Sequence, residues 1–256
     1  MEEILIELKA EQESLDPFLT TISEFQWDMP SPAEGWSLRD SVAHLAHIDE
    51  SAVSLLKGDL SPIKEAESSG IRFLESGPKK GRTLKPNQIL SWWRESRAIM
   101  LDELSKCHPQ KRLPWFVMPM GARAFATARL METWAHGLDC YDTINAESQD
   151  TDRLRHIAFL AYIARPYAYK VNGFQIPEIP LRLELILPSG KPWFQGPEEA
   201  KDLIRGKCGE FCRVAVRRRH WLDMNLEVRG EEAMRFIQIV QTYAGPPGPG
   251  RKPKNK

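Results

Sequence analysis

At 256 residues the chain is long enough to bury a real core without disulfides or a metal staple, and it suits one large or two small domains. Hydrophobic residues make up 42% and charged residues 27%, an ordinary soluble composition. Lys+Arg and Asp+Glu number 35 each, so the formal net charge is zero, which argues against a nucleic-acid binder that works by broad phosphate neutralisation.

The N-terminal Met1-Glu2-Glu3-Ile4 is acidic and lacks the basic and apolar regions of a signal peptide, so a cytoplasmic setting is expected. No apolar run approaches the ~18 residues of a membrane-spanning helix. Residues 3–25 carry apolar positions at helical spacing, including Ile4, Leu8, Leu15, Leu19 and Ile22, with a disturbance near Asp16-Pro17. A turn-rich stretch over 29–35 follows. Ser37 and Asp40 then form a capping box with Asp in place of Glu, opening a helix from Leu38 to about Lys57. The polar, Gly- and Lys-containing stretch 58–85 reads as a long loop with a short helix near Ile71–Leu74. Pro86 is placed to start a helix that runs to about Cys107, and another spans Ala122 to about Thr143. Four long helices predict a four-helix bundle.

The second half reads differently. Residues 153–170 look helical. Leu181, Leu183, Leu185 and Leu187 alternate with Arg182, Glu184 and Ile186, a strand period closed by the turn Pro188-Ser189-Gly190. Short helices are expected at 197–205 and 207–218, a strand at 226–228 and a final helix at 231–243. The expected fold is therefore α plus α+β, with domains at 1–148 and 149–244 and a disordered basic tail at 245–256. Of the four cysteines, Cys208 and Cys212 stand four apart, a helical spacing rather than a zinc-knuckle one.

Chemistry gathers on two helices. Arg129, Glu132, His136 and Asp139 are separated by three, four and three residues, so they share one helix face. A carboxylate and an imidazole at i and i+4 have Cβ atoms about 6 Å apart and can grip one ion. The bland alternative is an exposed Glu–His pair. His44 lies on or beside the apolar stripe of Val42, Leu45 and Ile48, and His47 competes with it one turn on. In a bundle, inward-facing His and carboxylates from two helices build metal sites, so His44, Glu132 and His136 suit a divalent metal with an open position. Zinc is the first expectation, with iron(II) and others open. Asp139 is placed to accept from the His136 ring N–H.

The segment from Gly35-Trp36-Ser37-Leu38-Arg39-Asp40 to His44-Leu45 resembles the helix-2 motif of DinB-like metal-binding bundles. More narrowly, it is similar to the mycothiol-dependent maleylpyruvate isomerase family, whose helix-4 motif resembles Arg129-Leu-Met-Glu132-Thr-Trp-Ala-His136-Gly-Leu-Asp139. The C-terminal part resembles that family's small sterol-carrier-like α+β domain, with Gly196-Pro197-Glu198 and Arg217-Arg218-Arg219-His220 among its cues. The resemblance implies metal ligands at His44, Glu132 and His136, and a low-molecular-weight thiol such as mycothiol or glutathione. It also implies arginines that hold substrate or thiol, for which Arg129 and Arg218 are the candidates; a salt bridge within the bundle is the alternative for Arg129. The function expected is a metal-dependent isomerase or S-transferase in which a metal-bound thiolate attacks an unsaturated or electrophilic small molecule, with no nucleic-acid or membrane partner and an open oligomeric state. Two alternatives stand beside it: a zinc-dependent hydrolase using metal-bound water, and a non-catalytic metal- or ligand-binding protein.

Overall fold

The structure, a computed structural model, describes residues 1–116, 119–248 and 250–254. It divides into two compact units, 1–148 and 149–256.

The first unit is helical. Its elements are α1 (Glu2–Thr21), α2 (Glu24–Trp27), α3 (Leu38–Leu56), α4 (Ser61–Ser69), a 3-10 turn (Gly70–Glu75), α5 (Ser76–Gly81), α6 (Pro86–Ser105), a two-residue ribbon of β1 (Arg112–Leu113) and β2 (Met120–Gly121), and α7 (Ala122–Thr143). The four long helices have 19 to 22 residues, about 30 Å each at 1.5 Å per residue. α1 lies beside α6 and α7, and α3 lies beside the same two, so the four close a bundle. Leu15, Leu19, Leu38, Val42, Leu45, Ile89 and Trp93 meet at its centre.

The capping box forms as the sequence predicts. Ser37 N donates to Asp40 Oδ2 at 2.8 Å, and Asp40 N donates to Ser37 Oγ at 3.3 Å. This fixes where α3 begins and therefore which residues face inward.

The stretch 58–85 is a correction. It is not a long loop but α4, the 3-10 turn and α5 in succession. Periodicity could not reveal these helices, because packing rather than an apolar stripe holds them. Phe73 is buried, and α5 lies so close to α3 that a Cβ on Gly77 would sit 2.7 Å from His47 Cβ and 2.8 Å from Ala43 O. Glycine alone admits that approach.

The second unit is α+β, with α8 (Leu154–Ile163), α9 (Arg165–Val171), β3 (Leu181–Ile186), β4 (Pro192–Gln195), β5 (Asp202–Lys207), α10 (Cys208–Ala215), a 3-10 turn (Trp221–Asp223), β6 (Glu227–Arg229) and α11 (Glu231–Ile239). The sheet order is β4-β3-β5-β6, with β3 and β5 parallel and the other pairs antiparallel. Leu181, Leu183 and Leu185 bury one face, as the alternation predicts. The short helix expected at 197–205 is overturned. Pro197 and two glutamates give a local helix-start signal, but residues from Asp202 onward pair with strands on both sides, and that pairing wins. β4 was not expected, because a strand led by Pro192 shows itself only as an edge.

All four cysteines are free thiols, and Cys208 and Cys212 are buried with Sγ atoms 3.9 Å apart. The expectation that the tail cannot pack is corrected for its described part. Gly245 N donates to Tyr167 Oη at 2.7 Å, Arg217 Nη2 donates to Gly248 O at 2.8 Å, and Lys254 N donates to Asp223 at 3.0 Å. Pro249, Asn255 and Lys256 of that tail lie outside the described residues. Among the described residues, no helix is long and apolar enough to cross a membrane.

Candidate metal centre

α3 and α7 are neighbours in the bundle, and they bring His44 together with Glu132 and His136. One ligand-type atom from each residue lies within 4.8 Å of the others. The two imidazole rings are 4.9 Å apart, centroid to centroid. Both histidines are 7% exposed, so the bland alternative of an exposed Glu–His pair does not describe this site. The Glu132 side chain is 23% exposed, and the site therefore opens on its side.

His44 and Glu132 are held in the forms a metal requires. Burial, followed by the proximity of His136, pushes His44 well below its ordinary 6.5, so its imidazole is neutral. Burial works against the Glu132 carboxylate, but the His136 hydrogen bond and the positive charges nearby, including Arg129, outweigh it and hold Glu132 at about 2. Neutral imidazole and ionised carboxylate are the metal-binding forms. His136 Nε2 lies 3.3 Å from Glu132 Oε2, while its Nδ1 faces the fully buried Asp139 with 3.6 Å to Oδ2. The Asp139 carboxylate thus stands behind the second ring nitrogen.

His44 Nδ1 is buried and makes no hydrogen bond. An orphaned buried imidazole nitrogen is rare unless something other than the protein engages the ring. Two imidazoles and one carboxylate fit zinc or another divalent metal with a position left for a reactant.

The other candidates fall outside this set. His47 turns away from the triad and packs its ring 5.0 Å from Phe73. Arg129 is 2% exposed and donates from Nε to Asp49 Oδ1 at 2.9 Å, the salt bridge within the bundle named as the alternative to holding a substrate acid. Arg218 belongs to the second unit, where its Nη1 donates to Val216 O at 3.0 Å.

Sequence reasoning passed over two residues here. Trp36 sits over both imidazoles, with ring centroids 5.0 Å from His44 and 5.8 Å from His136. Its Nε1 donates to Glu75 Oε1 at 2.8 Å, which ties the indole to the 3-10 turn. Asp49 had a readable signal: it stands at the spacing of Leu45 and Ala52 on the apolar stripe of α3, where an ionised side chain requires a partner.

Residues 8–141 match the model of the mycothiol maleylpyruvate isomerase N-terminal domain. Two Mycobacterium tuberculosis proteins, uncharacterized protein MT0041 of strain CDC 1551 and uncharacterized protein Rv0036c of strain H37Rv, are each 35% identical over 248 residues, covering 96% of both chains. The fold is similar to crystal structures of the mycothiol-dependent maleylpyruvate isomerase and of a mutant of it, each at a TM-score of 0.57 and 18% identity, covering 85% of this chain and 89% of the other. A domain match over more than half the chain and near full-length relatives at that identity place it: the chain belongs to the mycothiol maleylpyruvate isomerase N-terminal domain family.

Proposed function

We propose that this protein is a thiol-dependent isomerase whose reaction centre is a divalent-metal site made by His44, Glu132 and His136. The observation that carries the reading is the convergence of His44, Glu132 and His136 from two helices, their ligand atoms within 4.8 Å of one another, within a chain of this family. A bound divalent metal, zinc first, would supply Lewis acidity that keeps a small thiol deprotonated at neutral pH.

The protein's own groups do the rest. Glu132 stays ionised well below neutrality and offsets part of the metal's charge. Asp139 orients His136. Trp36 covers the two imidazoles and restricts water on that side. The substrate class is a small unsaturated molecule: thiol addition, rotation about the resulting single bond and thiol expulsion give the isomer and return the thiol. Retention of the adduct would make the same centre an S-transferase. Arg218 is the remaining arginine candidate for an acidic group on the substrate. The description of the matched family points to mycothiol as the thiol. A cytoplasmic setting, where such thiols stay reduced, suits four free cysteines.

The test is a thiol-dependent cis–trans isomerisation of an unsaturated acid, followed spectroscopically with mycothiol and with glutathione. Wild type loaded with zinc turns over only with thiol present, and His136→Ala loses the activity. Undiminished turnover in His136→Ala overturns the reading.

A further inference from the structure

The metal ligands come from two helices, so the site exists only while α3 and α7 hold one register. The side chains that tie those helices together beside the site are Asp49 and Arg129. Asp49 stands five residues after His44 on α3, and Arg129 stands three residues before Glu132 on α7. Arg129 Nε donates to Asp49 Oδ1 at 2.9 Å, and the two side chains are 2% and 0% exposed. Two other ion pairs of this unit are more exposed: Arg39 meets an Asp28 that is 63% exposed, and Asp16 meets its arginines at 14%.

A fully buried ion pair is a poor way to gain stability. Taking both charges out of water is costly, and apolar residues of like volume are often as stable or more so. This pair does not even recover all that it could, because Arg129 Nη2 is buried without a hydrogen-bond partner. An apolar contact between the helices would hold them together but would let them slide. A guanidinium–carboxylate bond is directional and fixes one height of α3 against α7.

We propose that Asp49 and Arg129 are positioning residues for the metal centre. Their bond sets the register that brings His44 onto Glu132 and His136, and Arg129 is accordingly not the group that holds substrate. This inference rests on the metal reading above.

The experiment measures zinc affinity by competition with a chromophoric chelator, alongside the thermal midpoint and helicity of the metal-free protein. The proteins are wild type, Asp49→Asn, Arg129→Lys and the apolar double variant Asp49→Leu/Arg129→Met. Asp49→Asn leaves a buried unpaired cation and is expected to melt earlier. The double variant removes both charges and is expected to fold with a midpoint near or above wild type. Its zinc affinity falls about 10- to 100-fold, the range seen when groups supporting metal ligands are lost. Arg129→Lys, which keeps a cation opposite Asp49, recovers most of that affinity. Wild-type zinc affinity in a folded double variant overturns the proposal and makes the pair merely structural. Absence of zinc binding in wild type itself would overturn the metal reading and this inference with it, and is recognised before any variant is compared.

Discussion

Two buried polar clusters, one in each unit, use the same kinds of side chain to opposite ends. In the second unit Tyr169 donates to the Glu232 carboxylate, with its Oη 2.5 and 2.6 Å from the two oxygens. Arg165 Nε donates to the same carboxylate at 2.9 Å and its Nη2 to Ile179 O at 2.7 Å. Every strong group there is answered by the protein, and burial together with Glu232 raises the Tyr169 phenol above its ordinary range. In the first unit His44, Glu132 and His136 bring ligand atoms within 4.8 Å of one another, yet His44 Nδ1 is left without a partner. A closed polar network specifies a fold, whereas an incomplete donor set of metal-ligating type specifies a ligand.

That contrast can be broken at either cluster. The largest stability effect is expected from Glu232→Ala, which takes the shared acceptor from Tyr169 and the mostly buried Arg165 and should destabilise the second unit by about 3 kcal/mol. Tyr169→Phe removes one donor and should cost about 1–3 kcal/mol. Denaturant titration checks both, and neither is expected to change zinc stoichiometry. A loss of zinc in Tyr169→Phe would mean that the two clusters do not serve separate ends.

The smallest effect sharpens the comparison within the first unit. Asp16 is a closed cluster of its own, bonded to Arg94 and Arg97. Burial raises its pKa, but the two guanidiniums outweigh burial and hold it below the ordinary 3.8. A depressed folded-state pKa stabilises above the unfolded value and loses that contribution as pH falls through the folded one. Asp16→Asn should therefore cost about 1 kcal/mol at neutral pH and progressively less as the pH falls below 3.8 and through the folded-state value. Urea midpoints measured across that range read the difference. A penalty that persists undiminished in acid would show that the pair's charge is not what stabilises.

Much of this was legible in the sequence, and the reasons differ from residue to residue. Glu132 and His136 could be placed together because i and i+4 on one helix fix their separation without any knowledge of the fold. His44 needed the bundle and the family resemblance, since nothing local says which helix it faces. The Ser37–Asp40 box set the phase of α3 and could be read directly. Arg129 was left between a substrate acid and a salt bridge within the bundle, because helical spacing shows which way a side chain points but not what stands across from it, and Asp49 lies 80 residues away. The same limit hid Trp36, whose position over the imidazoles is set by its bond to Glu75, 39 residues on. α4 and α5 escaped because close packing on α3 through Gly77 holds them, with little periodic pattern to show it. β5 escaped because pairing on both edges overrode a local helix signal.

The most direct test of the account is metal content per chain, by elemental analysis after zinc supplementation and gel filtration, on wild type beside His44→Ala, Glu132→Ala and His136→Ala. The account predicts about one divalent metal per wild-type chain and near-complete loss in each of the three variants, as expected when a three-ligand site loses one ligand. Little metal in supplemented wild type, or metal that survives all three substitutions, would contradict it.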